Sequence, residues 1–200
     1  MKPNLKKILV VDVEATCWGT KEEKEDEKNK NEIIEIGTCL YNISEDTIES
    51  ANSFLVKPEY SVVSPFCNTL TGHTQLRLDK EGLSFSVICS HLQQTFDSRR
   101  LVWVSWGDYD RKQFEIDCKR KGAQYPFSSV HINLKVLFGL LYRQTNTFGV
   151  RKALNFLNLS FIGTPHSGVD DAFNIARMLQ VIFASFDLSN NKKFCNCKRN

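Results

Sequence analysis

Lys7-Ile8-Leu9-Val10-Val11-Asp12-Val13-Glu14-Ala15-Thr16-Cys17 is the stretch on which the reading of this chain turns. Ile8 to Val13 is a short β-branched run, the pattern of a buried strand. Side chains at i and i+2 of a strand share one face, so Asp12 and Glu14 point the same way from its carboxyl end. A purely structural strand would fill those positions with Val or Ile. Two acids on the core side require cations. The plainer alternative ends the strand at Val11 and leaves both acids in a loop.

Outward from this stretch, Ile33 to Asn42 and Ser53 to Lys57 read as neighbouring strands, and Arg100 to Trp106 as a further apolar strand. Between the first two lies Lys21 to Glu32, with ten charged residues in twelve, an exposed loop or a short solvated helix. Ser64-Pro65 has the order that starts a helix, and Gly72 stops it after about two turns. Phe85, Ile88, Cys89, Leu92 and Phe96 recur at helical spacing within residues 84–97. Asp108 to Lys121 reads as another helix, followed by Asn133 to Tyr142, Val150 to Leu157 and a long helix from Gly168 to about Phe186. Strands first, then strands mixed with helices, predict an α/β fold: a central sheet flanked by helices.

Helical phase singles out two more acids. Asp110 shares a stripe with Phe114 and Cys118, whereas Asp108 shares its face with Lys112, Glu115 and Lys119 and suits an N-cap. Asp171 aligns with Ile175, Met178 and Ile182, whereas Asp170 aligns with Asn174 and Arg177. Asp12, Glu14, Asp110 and Asp171 therefore sit near the ends of apolar elements with their side chains turned inward. Four uncompensated anions would protonate or repel one another. Hard oxygen donors imply Mg²⁺ or Mn²⁺, and two such ions supply four positive charges. His166, in a Thr-Pro-His-Ser-Gly loop five residues before Asp171, is placed to act as a base beside them.

Composition excludes several classes. At 42% hydrophobic and 24% charged residues, the 200-residue chain can bury a core without staples, which excludes a disordered or disulfide-held protein. No apolar run approaches the roughly 20 residues of a membrane span. The basic start lacks the apolar stretch of a secretion signal, so a cytoplasmic protein is expected. Five of the 7 cysteines are scattered singly, as small hydrophobes would be, and Cys195-Asn196-Cys197 is a poor metal site without a partner pair. Residues 1–7 carry +3 and residues 190–200 carry +4 of a net +3, which leaves −4 for residues 8–189. An acidic body that handles phosphates needs cations from elsewhere. With no internal repeat or linker, residues 1–200 read as a single domain with a core of about 8–186 and basic tails.

Asp12-x-Glu14, Asp110 within Tyr109-Asp110-Arg111-Lys112-Gln113-Phe114, and His166-x4-Asp171 resemble, in order, the three motifs of the DEDDh (DnaQ-like) 3′-to-5′ exonucleases. Glu14-Ala15-Thr16-Cys17 and Phe66-Cys67-Asn68-Thr69-Leu70-Thr71-Gly72 with Thr74-Gln75 further resemble the Eri-type, histone-mRNA 3′ exonuclease and KapD-like branch. The resemblance implies a ribonuclease H-like fold, with a mixed central β-sheet flanked by α-helices. It implies two Mg²⁺ (or Mn²⁺) ions, one held by Asp12, Glu14 and Asp171 and the other by Asp12 with help from Asp110, and His166 as general base. The substrate would be single-stranded RNA or DNA with a free 3′ end, RNA being favoured by the Phe66 to Gln75 segment, shortened one nucleoside 5′-monophosphate at a time. Substrate contacts are implied at Ala15, Thr16, Phe66, Leu70, His73 and Tyr109, the Phe66–Leu70 pair holding the terminal base. On the residues alone, Phe66 and Leu70 could equally anchor their helix in the core. His73 stands where the family often has an apolar residue, so a stacking or phosphate contact replaces a base wedge there. A proofreading-type deoxyribonuclease would share all five catalytic positions, and a nucleic-acid-binding regulator on the same scaffold is a second alternative.

Overall fold

The computed structural model describes residues 4–26, 29–144 and 148–185. Residues 1–3 and the basic 190–200 tail with its Cys195 and Cys197 lie outside the described residues. Five strands form one mixed sheet: β1 (Asn4–Ala15), β2 (Ile33–Asn42), β3 (Thr47–Leu55), β4 (Leu101–Ser105) and β5 (His131–Asn133), in the order β3-β2-β1-β4-β5. β1 to β3 form an antiparallel meander, and β4 joins β1 in parallel. β5 is in turn parallel to β4. Parallel neighbours need crossover connections. Helices α2 (Pro65–Thr71), α3 (Gln75–Glu81) and α4 (Phe85–Phe96) supply the first, and α5 (Tyr109–Lys121) supplies the second. The short α1 (Lys21–Glu25), α6 (Leu134–Leu141), α7 (Val150–Phe156) and the long α8 (Gly168–Ser185) complete the described chain.

Alternation along β1 builds both halves of the core. Ile8 and Val10 face α8 together with Ala172, Ile175 and Leu179, while Leu9, Val11 and Val13 face Phe85, Ile88 and Leu92 of α4 and Phe114 of α5. Each such fully buried aliphatic side chain contributes about 1.5 to 3 kcal/mol. Asp12 and Glu14 continue the Ile8–Val10 row, so the strand does not stop at Val11 and the loop alternative falls.

Three elements differ from the sequence reading. β3 begins at Thr47, not Ser53, because it is an edge strand: its polar Thr47-Ile48-Glu49-Ser50 start needs one pairing partner and little burial. Gln75–Glu81 forms a helix that polar residues concealed, with the Thr74 hydroxyl capping Arg77 N. His131–Asn133 is a three-residue strand at the other edge, too short for any periodicity. Cys39, Cys67, Cys89 and Cys118 are buried free thiols, as scattered hydrophobes should be. Among the described residues no helix is long and apolar enough to cross a membrane.

Candidate active site

β1 and β4 run parallel, so their carboxyl ends open on the same edge of the sheet, where ligands bind in α/β folds. β4 pairs with β1 only as far as Val10–Val104, which leaves Val13 N without a strand partner on that side. The Asp110 carboxylate takes its place: Val13 N donates to Asp110 Oδ1 at 3.0 Å. Asp110 is 4% exposed, in the first turn of α5. Asp171 lies in the first turn of α8, and its Oδ2 accepts from His166 N at 2.8 Å. That bond closes the 166–171 loop, with His166 at φ 63 in the left-handed region that a His seldom adopts. His166 Nδ1 is 3.9 Å from Glu14 Oε1.

A carboxylate oxygen from each of Asp12, Glu14 and Asp171 lies within 4.8 Å of the other two. Asp12, Glu14, Asp110, Asp171 and His166 line one cleft of about 230 Å³, walled by Trp106, Tyr109 and Val150. All five residues singled out for chemistry are thus brought together. Burial, then the charges of Asp110, Asp171, Glu14 and Glu35, push the Asp12 carboxyl well above its ordinary value. Burial and then Asp171, Glu35 and Asp110 push Glu14 up to about 9. Asp110 and Asp171 are each pushed up to about 6, burial again first, with the bonds from Val13 N and His166 N pulling the other way. A cluster that resists losing its protons is one that lacks a counter-charge. Hard oxygen donors at this spacing fit a divalent cation.

The expected substrate contacts divide. Phe66 and Leu70 are 45% and 37% exposed on α2, whose core anchor is Cys67, packed with Ile34 and Leu78. Their reading as core residues therefore falls. The Ser64 hydroxyl donates to Cys17 O and the Cys67 thiol to Ala15 O, which seat α2 at the carboxyl end of β1. Tyr109, half exposed, lines the cleft. Ala15 is buried at the strand end. Thr16 is fully buried: its hydroxyl meets Lys30 O and the Ser61 hydroxyl and accepts from Glu32 N, so its side chain braces the strand end and does not face the cleft. His73, expected to meet a base or phosphate, is 4% exposed, and its Nε2 lies 2.7 Å from Glu35 Oε2. The Gly72 left-handed cap turns it inward.

Phase placed Asp108 and Asp170 on solvated faces, and both stand half-buried. Asp108 stands at the N-cap position without a side-chain cap bond, its side chain half exposed near Arg111. Asp170 Oδ2 accepts from Thr164 N at 2.8 Å, and its neighbour on that face, Asn174, is fully buried, clasping both Ile162 N and Ile162 O. That face of α8 holds down the loop carrying His166. Glu35, directly opposite Glu14 in the β1–β2 register, is a fifth acid at the site that went unread. A lone Glu within Ile33-Ile34-Glu35-Ile36 was its signal, the same one that marked Asp12 and Glu14.

Four convergent carboxylates and a histidine in one cleft at the sheet edge define a site of the class that can hold a divalent cation. The chain belongs to the exonuclease family: the RNase_T family profile matches residues 9–179. It is 32% identical to mouse ERI1 exoribonuclease 2 over 195 residues, covering 84% of this chain and 27% of that protein. It is also 32% identical to rat 3'-5' exoribonuclease 1 over 181 residues, covering 86% of this chain and 51% of that one. The chain thus spans about a quarter to half the length of these relatives. Among solved structures, the nuclease domain of 3'hExo, a DEDDh family member bound to rAMP, superposes with a TM-score of 0.77 at 28% identity, covering 93% of this chain and 96% of that one. The fold is accordingly the ribonuclease H-like fold of the DEDDh exonucleases.

Proposed function

We propose that this chain is a divalent-cation-dependent 3′-to-5′ exoribonuclease that removes nucleoside 5′-monophosphates from single-stranded RNA. The convergence of Asp12, Glu14, Asp110, Asp171 and His166 on one cleft carries the reading. Asp12, Glu14 and Asp171 would hold a cation, and Asp110 would help Asp12 hold a second. When bound, Mg²⁺ or Mn²⁺ would supply Lewis acidity to the scissile phosphate and make water a competent nucleophile at neutral pH.

The chain's own residues supply the rest. His166, fixed through its backbone by Asp171, would take the proton from water as it attacks phosphorus. The P–O3′ bond breaks, so the penultimate nucleotide leaves with a 3′ hydroxyl and the terminal one with its 5′ phosphate. Phe66 and Leu70, exposed side by side, would pack on the terminal base, a contact worth about 1 to 3 kcal/mol and indifferent to sequence. Tyr109 would flank it from the cleft wall.

The relatives named exoribonucleases support RNA over DNA as substrate. With 3′-labelled single strands of one sequence and Mg²⁺ or Mn²⁺, faster release of mononucleotide from RNA is expected. Faster release from DNA would favour the proofreading-type reading, and release from neither would favour a binding protein.

His166→Ala should lower kcat by about 10² to 10⁴-fold with KM nearly unchanged, since the imidazole acts on the proton of water and not on the bound strand. Steady-state kinetics on single-stranded RNA checks this; an unchanged kcat would reduce His166 to a loop residue.

A further inference from the structure

On the α8 face of β2 the row Glu35, Gly37, Cys39, Tyr41 is interrupted by a glycine, and α8 begins there. A Cβ at Gly37 would lie 1.9 Å from Gly168 C, so only glycine lets the first residue of α8 meet the sheet. Gly168 N donates to Glu35 Oε2 at 3.2 Å, which places an anion at the positive end of α8. The same carboxylate accepts from the Ser53 hydroxyl at 2.7 Å and lies 2.7 Å from His73 Nε2. His73 is in turn tied to α2, because the Asn68 amide donates to His73 O at 2.8 Å. Burial alone would push Glu35 up, but these three bonds more than offset it and hold the carboxyl below its ordinary value, the reverse of Asp12 and Glu14 on the adjacent strand.

We propose that His73 is a positioning residue: through the shared Glu35 carboxylate it locks the first residue of α8, and with it Asp171 and His166, to the helix that carries Phe66 and Leu70. Seating of the terminal nucleotide on α2 and presentation of the catalytic loop at the start of α8 thereby share one buried joint. The role in turnover rests on the exonuclease reading above; the joint itself does not.

The test uses His73→Leu, His73→Gln and the double variant His73→Leu/Glu35→Leu of the full chain. Melting temperature, kcat and KM on single-stranded RNA, and hydrogen exchange of the residue 167–171 amides are read for each. His73→Leu should lower both melting temperature and kcat, the latter by about 10 to 100-fold as for other residues that orient metal-binding side chains, with KM changed little. His73→Gln keeps a donor for Glu35 and should recover most of the loss. The double variant removes the buried, unpaired carboxylate and should regain melting temperature. It leaves Gly168 N without its acceptor, so kcat should stay low and exchange at 167–171 should be faster than in the wild type. Recovery of kcat together with melting temperature, or unchanged kcat in His73→Leu, would make the pair merely structural and overturn the proposal. If the wild-type chain releases no nucleotide, the exonuclease reading fails, and exchange decides the joint: faster exchange in the double variant supports it, and unchanged exchange overturns it.

Discussion

Asp110→Asn and Asp171→Asn are each expected to lower turnover by about 10³-fold or more, the loss of several kcal/mol of charge stabilisation at the scissile phosphate. Asparagine retains an oxygen that can accept from Val13 N or His166 N, so the local hydrogen bonds survive and the loss belongs to the missing charge. Asp108→Asn and Asp170→Asn should cost less than about 10-fold, since a charge near a helix terminus is worth about 0.3 to 1 kcal/mol and asparagine can still accept from Thr164 N at position 170. Removing one of four mutually repelling carboxylates should also raise the melting temperature of the two inactive variants in chelator. Rates and melting curves on the four proteins check both halves. An Asp108→Asn variant as inactive as Asp110→Asn would overturn the assignment of Asp110.

The second large effect is on stability. Glu14 has an ordinary value of 4.5 and is pushed up to about 9 in the fold, so between those limits the native state holds a proton that the unfolded chain has released. Stability then falls as pH rises through the window. Below pH 6.5 His131, whose value burial and then the Arg111 charge lower from 6.5, pulls the opposite way. Towards pH 9 so does the Cys118 thiol, lowered from 9.0 by its bond with Cys89, so the decline from pH 6.5 to about 9 is clearest in the middle of that range. Glu32 and Glu35, held below their ordinary 4.5, act only on the acid side. In chelator, the urea midpoint should fall over pH 6.5 to 9, and Glu14→Gln should flatten the slope. A divalent cation at one hundred times its Kd should add about 2.7 kcal/mol. Stability that rises over that range in chelator, or ignores the cation, would contradict the clustered-carboxylate account.

How far the sequence foretold this depended on how much of each signal was local. Asp12 and Glu14 were legible because period-two alternation puts them in the Ile8–Val10 row, and Asp110 because its helix stripe runs through Phe114, fully buried in the core. Asn174 was misplaced by the same logic: polar by type, it is buried because it bonds a loop backbone, a tertiary fact that no periodicity carries. The polar start of β3 hid an edge strand, and three residues of β5 gave no period at all. Glu35 carried a signal that went unused, and His73 was read as a substrate contact. Their meaning lies in a contact across 38 positions, created by the Gly72 turn and by the close approach of Gly37 to Gly168.

The central claim, that the carboxylate cleft cleaves RNA from a free 3′ end with the help of a divalent cation, is tested most directly on one single-stranded RNA prepared in linear and circular form. With Mg²⁺ or Mn²⁺ present, the linear strand should yield nucleoside 5′-monophosphates and progressively shorter chains. The circle should stay intact, and excess chelator should stop all release. Cutting of the circle at a rate like that of the linear strand, or mononucleotide release that survives the chelator, would contradict it.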